Sequence, residues 1–107
     1  MKKGVIISGN LAQDHEFIYP YYRLLEEGIK VDVCLLEGKP VKGILGTTLP
    51  PNKNQEVKEI NNIKIDDYDI LVLPGGVKAM EKVRQEKKII EFISKFNDQK
   101  KTIACIK

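Results

Sequence analysis

Three ionisable side chains stand together at Asp14-His15-Glu16, shortly after the apolar run Val5-Ile6-Ile7 breaks at Ser8-Gly9-Asn10. A carboxylate placed there, beyond the end of a strand and at the start of a helix, can hydrogen-bond a neighbouring thiol and tune its pKa. Capping by Asp14, with a favourable contact between the carboxylates and the helix dipole, explains the same residues without chemistry. His15 is the single histidine. No serine or cysteine near it forms a motif that demands a base, so it reads as an exposed helix-start residue. Further along, Leu73-Pro74-Gly75-Gly76 ends an apolar run in a glycine turn. Backbone amides in such a turn can point at developing negative charge with no side chain in the way, which is how an oxyanion site is built from backbone. A plain strand-end turn uses the same residues.

Cys34 and Cys105 lie inside apolar, β-branched runs, with neither CxxC spacing nor a nearby histidine. Both read as buried reduced thiols that pack as small hydrophobes, not as zinc ligands or nucleophiles. No metal and no organic cofactor is implied. The loop from Ser8 to Asp14 lacks both GxGxxG and a P-loop lysine, which disfavours nucleotide binding of the flavodoxin kind.

The elements that must position these residues follow from hydrophobic period. Val5-Ile6-Ile7-Ser8 suits a strand buried on both faces. From Asp14, Phe17, Tyr21, Leu24 and Leu25 recur on one helical face, with Pro20 expected to bend the helix or to lie in its first turn. Ile29 to Leu36 forms a second strand, and a right-handed β-α-β crossover makes the two parallel. Between Glu37 and Ile65 the pattern weakens, with β-prone pieces around Val41, Ile44-Leu45 and Val57 that suggest a hairpin-like excursion. Asp69 to Leu73 is the strongest buried strand. Ala79 to Phe96 is expected to be one helix with Ile89, Ile90, Ile93 and Phe96 on its buried face, and Thr102 to Ile106 begins another strand. The result is an α/β fold, an open parallel sheet with helices on both faces, whose sites form beyond the carboxyl ends of the strands.

Chain-wide properties narrow the function classes. At 107 residues, 42% hydrophobic and 31% charged, the chain holds one domain, 1–107. Basic residues number 18 against 15 acidic, for a net charge of +3, and the signs are interleaved, which gives no nucleic-acid signal. Lys87-Lys88 and Lys100-Lys101 read as a solvated helix face and a loop. The run after Met1-Lys2-Lys3 falls short of the about 7–15 apolar residues of a signal peptide, and nothing approaches the ~20 of a membrane span. A cytoplasmic location without membrane association is expected.

Three segments, Ala12 to Leu24, Tyr68 to Gly76 and Lys101 to Ile106, resemble the ThiJ/PfpI superfamily in order and spacing. The resemblance implies a flavodoxin-like sheet related to type I glutamine amidotransferases, here C-terminally incomplete. It implies a cysteine-dependent hydrolase of the intracellular protease/amidase or glyoxalase/deglycase kind, with a small carbonyl compound or peptide as substrate. Glu16 is similar to the acid that contacts the family's cysteine, Gly75 and Gly76 to its backbone oxyanion site. Glu81 resembles an acid that some members lend across a subunit interface, although the spacing from Gly76 is one residue longer. Gln13 stands where the peptidase branch often carries a second acid. In the family the last strand enters a nucleophile elbow of the type A-x-I-C-H-G. Ala104-Cys105-Ile106 matches the approach, and Lys107 takes the cysteine's place. The expectation is therefore a chain truncated before the elbow helix, inactive as it stands and marginally stable alone. Homo-oligomerisation as a dimer or hexamer is implied too. The alternative is a non-catalytic stress-response chaperone or oligomeric scaffold of the same family.

Overall fold

A side chain in a strand alternates between the two faces of its sheet, so a strand that is apolar at every position requires cover on both. β1 (Lys3–Ser8) meets that condition: Val5, Ile6 and Ile7 are fully buried. The computed structural model describes residues 2–75, 77–99 and 101–105. Within them follow α1 (Asp14–Glu26), β2 (Lys30–Leu35), β3 (Val41–Lys42), β4 (Thr48–Leu49), β5 (Val57–Lys58), β6 (Ile70–Leu73), α2 (Val77–Gln85), α3 (Lys87–Asp98) and β7 (Thr102–Cys105). Five strands pair in the order β5-β2-β1-β6-β7, all parallel. β3 and β4 form a separate antiparallel hairpin.

Two apolar clusters lie on opposite faces of this sheet. Val5, Ile7, Cys34, Leu71 and Leu73 face α2 and α3, meeting Val83, Ile89, Phe92 and Phe96. Ile6, Val31, Val33, Leu35 and Val72 face the other way, against Phe17 and Tyr21 of α1 and Leu49 of the hairpin. Helices therefore cover both faces, as expected from the unbroken apolar strands.

Several local expectations are corrected. Gln13, not Asp14, caps α1: its side-chain oxygen accepts from the Asp14 amide at 3.2 Å. Of the two placements expected for Pro20 the first turn is excluded: it lies inside α1 beyond that turn, where it leaves the Glu16 carbonyl without the usual partner four residues on. The long second helix is two helices, interrupted at Glu86, whose backbone is extended. The reason is phase. Val83 and Ile89 are both buried, yet in one continuous helix they would stand about 120° apart round the axis, and the interruption lets both reach the sheet. Phe92 takes the buried place expected for Ile90, which is exposed. Ile44 and Leu45 form a turn at the hairpin tip and face solvent. Lys101 is not a solvated loop residue: its ammonium donates to the carbonyls of Ile65 (2.8 Å) and Tyr68 (2.7 Å).

At the amino end of the sheet, buried Asp32 accepts from the Tyr68 hydroxyl at 2.6 Å and pairs with the ammonium groups of Lys3 (3.1 Å) and Lys58 (3.5 Å). Burial alone would raise this carboxyl. The Tyr68 hydroxyl and the two lysines outweigh it and hold the pKa below the usual carboxylate range.

Candidate functional site

The opposite end of the sheet carries unmet polar demand. Buried polar atoms are almost always hydrogen-bonded, and among the described residues three buried side-chain oxygens have no partner: Ser8 Oγ, Glu16 Oε1 and Glu37 Oε1. Ser8 ends β1, Glu37 follows β2, and Glu16 sits in the first turn of α1. All three therefore lie at the carboxyl rim, where a parallel α/β sheet places its ligands.

Gly75 lies on the same rim, buried just beyond β6. Its carbonyl accepts from the Gln13 amide at 3.0 Å, which ties the turn after β6 to the start of α1 and so to Glu16. Register pairs Leu73 with Cys105, so β6 and β7 run out level with one another at this turn. Glu81 lies on α2 with its side chain exposed, and nothing brings it to Glu16. Gly76 and Lys107 lie outside the described residues.

The loop between Ser8 and Gln13 is held in a demanding conformation. Leu11 has φ of 65°, a left-handed geometry that costs a residue bearing a Cβ. The hydrogen bond from its amide to the Lys42 carbonyl, at 2.8 Å, sustains it.

Asp14 does something that its position alone does not suggest. Its carboxylate accepts from the Leu45 amide (2.7 Å) and the Thr47 amide (3.0 Å), clamping the β3-β4 turn onto the start of α1. A methyl group at Gly43 would overlap this carboxylate, so the close approach requires glycine. Burial would push the Asp14 carboxyl up, but those two amides hold it below its ordinary value. Asp14 is thus fully occupied, and of the two carboxylates at this helix start only Glu16 keeps a buried oxygen unpartnered. His15 is exposed, as expected. Cys34 is a buried free thiol, with its pKa pushed up to about 12 by burial and by the nearby Glu59 carboxylate, which makes it a poor nucleophile.

Sequence reasoning passed over Glu37. Its one signal is position, directly after an apolar strand at the rim, the same signal that draws attention to Ser8.

A parallel α/β sheet with an unpartnered carboxylate and a glycine turn at its carboxyl rim defines the class. The DJ-1/PfpI family model matches residues 2–106, and the chain belongs to that family. It is 38% identical over 102 residues to a deglycase of Pyrococcus abyssi, covering 95% of this chain and 58% of that protein. With the deglycase PfpI of Pyrococcus furiosus, identity is 35% over 104 residues, covering 97% and 59%. The chain thus spans less than two thirds of these relatives. Among solved structures, a two-domain protein of Anabaena variabilis containing DJ-1/ThiJ/PfpI-like and ferritin-like domains superposes with a TM-score of 0.85. Identity is 26%, with 98% of this chain and 29% of that one covered. Oxidised DJ-1 of Toxoplasma gondii gives the same TM-score at 20% identity, covering 98% and 55%, which speaks to fold alone.

Proposed function

We propose that the complete protein is a cysteine-dependent enzyme of the deglycase or glyoxalase kind, acting on carbonyl or amide groups. The observation that carries this reading is the buried, unpartnered Oε1 of Glu16 at the sheet rim beside the Gly75 turn. A thiol delivered to that rim gives this oxygen its missing hydrogen bond. With the thiol proton passed to that carboxylate, the thiolate adds to the substrate carbonyl carbon: the C–S bond forms as the carbonyl π pair moves onto oxygen, and the amides of the Gly75-Gly76 turn hold the resulting oxyanion. Two similar proteins named deglycases support the reaction class.

By the family's spacing the nucleophile position here is Lys107, a residue without a thiol, so the 107-residue chain is proposed to be inactive. Methylglyoxal and peptide assays test both statements. The 107-residue chain should give no turnover above buffer. A form carrying the family's cysteine should turn over, and Glu16→Gln in that form should lower kcat/KM by about 10²-fold or more. Turnover by the 107-residue chain that survives Lys107→Ala and Glu16→Ala would refute the assignment.

The same reading places the protein in the cytoplasm as a homo-oligomer. Tyr19 and Tyr22, exposed on α1, favour association, since aromatic residues are enriched at interfaces. Sedimentation as a monomer at all accessible concentrations would contradict that part.

A further inference from the structure

A cleft of about 580 Å³ opens at the same rim, lined by Asn10, Glu37, Lys39, Lys42, Thr48 and Lys82 over an apolar floor of Pro40 and Val41. It shares the Ser8-to-Gln13 loop with Glu16, because Asn10 Oδ1 accepts from the Lys42 amide and the Lys42 carbonyl accepts from Leu11. Three lysines and one carboxylate line it, and none of the three lysines forms an ion pair among the described residues. The Lys42 ammonium is held by Thr48 Oγ1 at 2.7 Å, which fixes one donor and leaves its other two protons free. Glu37 forms no ion pair with them: its Oε2 accepts from the Asn10 amide at 3.3 Å, and its Oε1 is buried.

The local charge balance is thus two positive in excess, in a cleft whose volume falls within the range of small-molecule sites. We infer that this cleft binds a small dianion of the phosphate-monoester type, with Lys42 and Lys82 as its principal cations and Lys39 at its mouth. Lysine suits this task as a compact point charge with rotatable donors. The loop that carries Asn10 leads directly into α1 and Glu16, which makes the bound group the anionic end of a phosphorylated carbonyl substrate. That extension rests on the carbonyl-transforming reading above, whereas anion binding itself does not.

Titration of the protein with inorganic phosphate, followed by the backbone amide resonances of Asn10, Lys42 and Thr48, tests the site without catalysis. Saturable shifts are expected, with chloride at equal ionic strength producing none. Lys42→Gln combined with Lys82→Gln should weaken phosphate at least tenfold. Lys88→Gln, a lysine outside the cleft that donates to Asn61, should leave it unchanged. All three lysines are exposed, so these variants fold. Absence of saturable shifts, an equal response to chloride, or equal weakening by Lys88→Gln overturns the site. Glycerol 3-phosphate separates the two sources of the anion. Binding several-fold tighter than inorganic phosphate supports an organic substrate, and binding no tighter overturns the substrate assignment. A form carrying the family's cysteine that binds phosphate here but turns over no carbonyl compound refutes the enzymatic reading alone.

Discussion

Replacing Asp14 by alanine removes both acceptors that hold the Leu45 and Thr47 amides. Hydrogen bonds to a charged group contribute about 1.5–3 kcal/mol each, and solvent reaches the freed amides at the exposed tip, so urea unfolding should show a loss of about 2–4 kcal/mol. Gly43→Ala should cost about 1–3 kcal/mol by forcing that carboxylate aside. The folded Asp14 carboxyl titrates below its unfolded value of about 3.9. Its contribution is therefore complete above that pH and is lost as the pH falls through the folded value. The stability gap between wild type and Asp14→Asn should accordingly narrow between about pH 5 and about pH 2, and a gap that widened there would refute the clamp. At Cys34, burial and the raised pKa predict alkylation by iodoacetamide at pH 8 about three orders of magnitude slower than for a free thiol. Peptide mapping of the labelled native protein measures this directly.

The break at Glu86 puts Phe92 inside and Ile90 outside. Phe92→Ala should cost about 3–5 kcal/mol and Ile90→Ala less than about 1 kcal/mol, and thermal melts of the two variants distinguish this phase from that of one continuous helix. The strands were legible because Val5-Ile6-Ile7 and Ile70-Leu71-Val72-Leu73 are apolar without interruption, a pattern that only a sheet covered on both faces tolerates. The interruption at Glu86 was not, since neither proline nor glycine marks it and it arises from the demand that Val83 and Ile89 reach one surface. The placement of Glu16 and Gly75 at the carboxyl rim was legible from position and family likeness. The Asp14 clamp was hidden, because its partners are backbone amides of a distant turn and carry no side-chain signature. Among the described residues β7 pairs with β6 only, and Thr102 and Ala104 are exposed, whereas β1 is buried between β2 and β6. Amide exchange in β7 should therefore outpace that in β1 by orders of magnitude.

Across the whole molecule the two ends of the sheet divide the labour. The amino end satisfies its charges internally through Asp32, Tyr68, Lys3 and Lys58, whereas the carboxyl end, among the described residues, leaves oxygens unpartnered and lysines without an ion pair. Asp32→Ala should cost about 3 kcal/mol in urea unfolding, since it strands a buried hydroxyl and two ammonium groups. It should leave phosphate binding at the other end unchanged, and loss of that binding in a folded Asp32→Ala protein would show that the ends are coupled. The hydrogen bond from Gln13 to Gly75 joins the start of α1 to the turn after β6 and so couples these two pieces of backbone. An ion appearing in bulk water must wait for its neighbours to swing round. On the proposed reading, one appearing beside this junction would meet dipoles whose directions were settled when the chain folded, so little reorganisation energy would remain to be supplied.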